Sequence, residues 1–218
     1  MPSPSVSPAP LAPPVPVVVL ASGSGSILQT LIDATASPGF GVRIAAVGSD
    51  RPSAGALARA RRDGIPTFVC RPADYADRDD WDRGLASTLV QHVPQPGAEG
   101  RRWVVSAGFM RLLGPAVLAI STVLNTHPAL LPSFPGTRAV ADALEHGVAV
   151  TGATVHLVDE GTDTGPIVAQ RAVPVRPGDD EQSLHERIKV VERDLVLRTV
   201  HRVLTRGYEL NDRKVLLL

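Results

Sequence analysis

Asn125 and His127 stand two residues apart in the segment Leu124-Asn125-Thr126-His127-Pro128-Ala129-Leu130-Leu131-Pro132. Side chains two apart in an extended strand project to one face, so an amide and an imidazole can converge on a single ligand atom. Such a pair suits acyl transfer: the amide N–H donates to a developing oxyanion, and the imidazole moves a proton near neutrality. A carboxylate that orients the imidazole and raises its pKa would complete the centre. The acidic loop Asp159-Glu160-Gly161-Thr162-Asp163-Thr164-Gly165-Pro166 supplies candidates. For His127 alone, a hydrogen-bonded histidine at a strand end is the simpler reading, and an acidic loop is often only a solvated turn. His127, His156 and Asp163 could also meet around a metal, but their spacing matches no standard ligand pattern, and no metal is expected.

A second device lies earlier in the chain. Ser22-Gly23-Ser24-Gly25-Ser26 follows a β-branched run and precedes a helical pattern. Glycines there let the backbone approach an anion, and the free N–H groups of the helix start point at it. The loop matches neither dinucleotide fingerprint: Leu28 occupies the third glycine's place, and no Gly-Lys-Ser/Thr follows. A monophosphate ester suits it better. Arg78 could close on the same anion from a neighbouring strand end. Cys70 reads as a small core residue rather than a nucleophile. His92, His146, His185 and His201 fall in or beside predicted helices and read as surface or capping residues.

These groups need a frame, and the chain alternates strand and helix patterns to supply one. Val15–Ala21, Val42–Val47, Pro66–Val69 and Trp103–Ala107 read as strands; Ala54–Asp63 and Asp79–His92 read as helices. The predicted fold is α/β, a Rossmann-like, open, mostly parallel sheet with helices on both faces. Its C-terminal part is antiparallel: Val148–Val158 and Ile167–Val175 read as a pair of strands around the acidic loop. Asp179 or Asp180 caps a long helix to about Leu204, and the tail from Tyr208 reads as a hairpin turning at Asn211-Asp212. Residues 1–14 contain six prolines and no lysine or arginine, and read as a disordered arm before one domain at 15–218.

Composition narrows the function classes. The 218 residues carry 22 basic and 22 acidic side chains, a balance that gives no support to nucleic-acid binding by bulk charge. One cysteine excludes an intramolecular disulfide. Neither a secretory signal nor a membrane-length apolar run is present, so the expected setting is cytoplasmic with no membrane partner.

The chain resembles the folate-dependent formyltransferase family, in the branch that acts on glycinamide ribonucleotide, across nearly everything after the proline-rich arm. The matching stretches are Ala21 to Gln29, Ala107-Gly108-Phe109-Met110-Arg111-Leu112-Leu113, Asn125 to Pro132, and Asp159 to Pro166. The resemblance implies transfer of a formyl group from 10-formyltetrahydrofolate to the amine of 5′-phosphoribosylglycinamide in purine biosynthesis. It assigns catalysis to Asn125, His127 and Asp163, with protonated His127 and Asn125 stabilising the oxyanion. It places the ribonucleotide on Gly25, Ser26, Ile27, Arg78 and Glu192, and the folate on Met110, Arg111, Leu112, Leu113 and Asn125. Small-molecule substrates are the partners, and a homodimer stays open. Two departures stand out: Ile27 replaces the asparagine many relatives carry, and Thr137-Arg138-Ala139-Val140 replaces a histidine-containing segment, with Arg138 a candidate anion contact.

The alternative within the family is formyltetrahydrofolate deformylase, which uses the same three residues with water as acceptor but normally carries an N-terminal regulatory domain. A tRNA-directed formyltransferase would bring a C-terminal domain and a basic surface. A non-catalytic nucleotide-binding module would have no need of the complete set Asn125, His127 and Asp163.

Overall fold

The computed structural model describes residues 12–95 and 100–218, so most of the proline-rich arm and part of the Pro94–Gly100 connection lie outside the described residues. Its central sheet has seven strands: β1 (Val15–Leu20), β2 (Val42–Ser49), β3 (Thr67–Val69), β4 (Arg102–Ser106), β5 (Ser121–His127), β6 (Val150–Leu157) and β7 (Ile167–Pro174). They lie in the order β3-β2-β1-β4-β5-β6-β7. The first five are mutually parallel, and β6 and β7 add antiparallel edges. The expected α/β sheet with an antiparallel end is the sheet found.

The apolar run of β1 explains why this sheet is covered on both sides. Val17 and Val19 point into a core beneath α1 (Ser26–Thr35), α2 (Gly55–Arg62) and the long C-terminal helix. Val18 and Leu20 point to the other face, into a core with α3 (Arg78–His92) and α4 (Pro115–Ile120). A strand buried on both faces needs no polar alternation. Between β4 and β5 the chain adds α4, which periodicity missed because it is short. Its start is held from a distance: the buried Asp82 carboxylate of α3 accepts hydrogen bonds from Gly114, Ala116 and Val117 N–H. β5 follows α4 directly, starting at Ser121.

Beyond β5 come α5 (Ala139–Glu145), the β6–β7 pair, α6 (Glu181–Arg206) and the hairpin β8 (Tyr208–Asn211) and β9 (Lys214–Leu217). Asp180 caps α6 in a reciprocal box with Ser183. Among the described residues no helix is long and apolar enough to cross a membrane.

Strand order reverses between β1 and β4. Chains leaving the carboxyl ends of those strands diverge to opposite sides and leave a crevice, the usual ligand position in such sheets. The loops after β1, β4 and β5 all open there.

Candidate active site

A cavity of about 590 Å³ occupies that crevice. The glycine loop after β1, Phe109–Leu113 after β4, and Asn125 and His127 at the end of β5 all line it. On the glycine side, Gly25 caps α1 in the left-handed conformation (φ 75°), and no side chain caps the helix. The early N–H groups of α1 are therefore left for a ligand. Gly25 has a second reason to lack a side chain, since a Cβ would meet Ala56 Cα at 2.8 Å. Ala56 N–H donates to Gly23 O, and Arg59 of α2 donates to Ser24 O, fixing the loop from behind. Ile27 is buried on the cavity wall, and its own N–H belongs to the helix start.

Asn125, His127 and Asp163 come together on one wall of this cavity. His127 is buried, with Nδ1 3.3 Å from Asp163 Oδ2. Its Nε2 lies 2.7 Å from the carbonyl oxygen of Phe134; a carbonyl only accepts, so Nε2 carries the proton. Asp163 also accepts from Gly136 N–H at 2.8 Å. Phe134 and Asp163 both adopt positive φ (56° and 55°), so the two groups on either side of the imidazole are held in sparsely populated backbone conformations.

Electrostatics sharpen the roles. Burial drives the pKa of His127 below its ordinary value; Asp163 and the Phe134 carbonyl oppose this without overcoming it. Both ring nitrogens face acceptors, Nε2 the Phe134 carbonyl and Nδ1 the Asp163 carboxylate, so a proton taken up at Nδ1 finds its partner in place. Burial alone would raise Asp163, but His156 and His127 in their protonated forms, with the Gly136 N–H, bring it below the usual carboxylate range.

His156 belongs to this centre as well. It lies opposite Asn125 across the antiparallel β5–β6 ladder. Its Nδ1 donates to Leu157 O at 2.9 Å, so in the neutral ring Nε2 accepts from the Asn125 amide at 3.0 Å. That bond fixes which end of the amide is nitrogen, and the amide also reaches Asp163 at 3.4 Å. Considered beforehand only as a metal ligand, His156 here contacts Asp163 directly at 3.5 Å. Only the cross-strand register could have revealed it.

On α6, His185, Lys189 and Glu192 share the face that lines the cavity. His185 is half-buried there rather than a plain surface residue, and burial lowers its pKa. Glu192 is buried, accepts from the Thr126 hydroxyl at 2.8 Å, and has its pKa raised by that burial.

Two placements differ from expectation. Arg78 begins α3 instead of ending a strand, and lines a neighbouring hollow with Tyr75, Trp81 and Met110–Leu112, away from the glycine loop. Arg138 spends its charge on Asp142 and Glu145 along α5.

A sheet whose crevice joins an anion-ready helix start to an amide, an imidazole and a carboxylate is a group-transfer architecture. The chain belongs to the formyl transferase family, whose pattern matches residues 15–200. Within it, the chain is 52% identical over 200 residues to phosphoribosylglycinamide formyltransferase of Mycobacterium tuberculosis, covering 91% of this chain and 89% of that one. It is 44% identical to part of the human trifunctional purine biosynthetic protein adenosine-3, covering 81% of this chain and 17% of that protein. The solved glycinamide ribonucleotide transformylase 1 of Symbiobacterium toebii superposes with a TM-score of 0.88 at 38% identity, covering 94% of each chain.

Proposed function

We propose that this chain transfers the formyl group of 10-formyltetrahydrofolate to the primary amine of 5′-phosphoribosylglycinamide, in purine biosynthesis. The observation that carries this is the sharing of one cavity by the uncapped α1 start and the Asn125–His127–Asp163 centre. The naming of the Mycobacterium tuberculosis and Symbiobacterium toebii relatives supports it.

In this reading the N–H groups of Gly25, Ser26 and Ile27 receive the phosphate; Lys189, paired with Glu186 on α6, lines the same cavity. Glu192 holds the amine end, its carboxylate already anchored by Thr126. Met110 to Leu113 bind the folate, and Arg78, lying in the hollow beside Met110–Leu112, serves the folate side instead of the phosphate.

The amine nitrogen attacks the formyl carbon, and the carbonyl oxygen becomes an oxyanion. The Asn125 amide, oriented by His156, turns toward that oxyanion the N–H that otherwise makes the long 3.4 Å contact with Asp163; one such donor contributes about 3 kcal/mol. The surplus amine proton passes through water to the His127–Asp163 pair, where Nδ1 and Oδ2 hold it between them. It then returns to the folate nitrogen as the carbon–nitrogen bond to the folate breaks. Products are the formylated amide and tetrahydrofolate, with no net proton gained or lost.

Deformylation would use the same centre with water as acceptor. The helix-start anion site and Glu192, both on this cavity, favour a phosphorylated amine as the acceptor. Purified protein assayed with 10-formyltetrahydrofolate should release tetrahydrofolate only when the ribonucleotide amine is added. Folate turnover that ignores the amine would replace this reading with deformylation.

A further inference from the structure

Asp50 directly follows β2, at the carboxyl end of the sheet, and its side chain has no solvent exposure. A buried carboxylate persists only when donors replace its lost water. Here the donors come from both substrate-binding segments. The Ser22 hydroxyl, at the root of the glycine loop, donates to Oδ1 at 2.6 Å, and Arg111 Nε donates to Oδ2 at 2.9 Å. The Ser22 oxygen in turn accepts from Met110 N–H at 2.9 Å. Burial would raise the Asp50 carboxyl, but these hydrogen bonds hold it below the usual carboxylate range.

We propose that Asp50 is a positioning residue for the formyl donor: one buried carboxylate fixes the consecutive residues Met110 and Arg111, the first through Ser22 and the second directly. This rests on reading Met110–Leu113 as the folate segment. Arg111 lines both the main cavity and the hollow beside it, so its placement shapes the wall between them.

The glycine loop has independent anchors, Ala56 to Gly23 and Arg59 to Ser24. Met110 and Arg111, both largely exposed, draw these hydrogen bonds from the Ser22–Asp50 pair. Loss of Asp50 should therefore fall on the folate and spare the ribonucleotide. Asparagine is a poor substitute, because an amide offers one acceptor oxygen where Ser22 and Arg111 need two, and its NH₂ would oppose a donor.

The test compares steady-state kinetics of wild type, Asp50→Asn, Arg111→Met and the double variant, with tetrahydrofolate binding measured on each. Asp50→Asn should raise KM for 10-formyltetrahydrofolate and Kd for tetrahydrofolate about tenfold, leaving kcat and the ribonucleotide KM within about twofold. The double variant should be no worse than the more affected single variant, because the Arg111–Asp50 contact is lost in each single variant and cannot be lost twice. Equal rises in both KM values, a fall in kcat alone, or additive folate losses in the double variant would overturn the proposal. If Asp50→Asn does not fold, Arg111→Met alone must show the folate-selective rise, or the proposal fails. A wild-type chain that binds tetrahydrofolate yet transfers no formyl group would sink the functional reading instead, with the binding comparison still deciding the role of Asp50.

Discussion

His127 Nδ1 lies 3.3 Å from Asp163 Oδ2 while its Nε2 is committed to the carbonyl of Phe134. The imidazole therefore has one nitrogen available for chemistry, and a carboxylate faces it. Because the proton on Nε2 is fixed, Nδ1 is the atom that changes protonation state.

The Asp163 charge should accordingly set the acid limb of the rate profile. Burial lowers the His127 pKa from the ordinary 6.5, and Asp163 works in the opposite direction. In the proposed mechanism His127 takes up the amine proton at Nδ1, so activity should fall as pH drops through its pKa. Asp163→Asn removes the raising influence, which should move that limb to lower pH and cut kcat by about 10²- to 10³-fold. Measuring kcat/KM across pH checks both; an unmoved limb would show that Asp163 does not tune the imidazole.

His156 should matter through Asn125. His156→Leu leaves the amide free to rotate its oxygen toward the oxyanion, and misorientation of this kind costs about ten- to hundredfold in rate. The expected signature is a lower kcat with a ribonucleotide KM changed less than about twofold. A rise in that KM with normal kcat would mean that His156 serves binding instead.

Gly25→Ala should weaken the ribonucleotide selectively. Its φ of 75° strains any side chain, and the new Cβ would press on Ala56. A stability loss of about 1–2 kcal/mol is expected by urea unfolding, together with at least a tenfold higher ribonucleotide Kd by calorimetry. Unchanged affinity would mean that the α1 start does not hold the phosphate.

Asp82→Ala should act on stability more than on chemistry. It strips three N–H groups of their buried acceptor at the start of α4, a loss of about 2–3 kcal/mol. Chemical denaturation measures it; a cost near zero would mean that water or another group replaces the carboxylate.

Much of this site was legible locally. Asn125 and His127 share a strand face by simple alternation, and Gly25 announces a tight turn that only glycine tolerates easily. Asp180 with Ser183 marks the start of α6. What escaped depends on non-local register. His156 meets Asn125 only because β6 runs antiparallel to β5 in one alignment. Asp50 looks like an ordinary loop residue until Ser22 and Arg111 converge on it from 28 and 61 residues away. Arg78 was expected at a strand end but begins α3, and it lines a hollow together with Met110–Leu112, a grouping set by tertiary contacts that the local pattern does not carry. α4 is too short for periodicity, and its cap comes from a different helix.

The most direct test follows the formyl carbon itself. With 10-formyltetrahydrofolate labelled by carbon-13 at the formyl group, and a stoichiometric amount of 5′-phosphoribosylglycinamide, carbon NMR should show the label moving into the formamide of the ribonucleotide, at a rate abolished by His127→Ala. Label appearing as free formate at the same rate with or without the ribonucleotide would contradict formyl transfer to the amine.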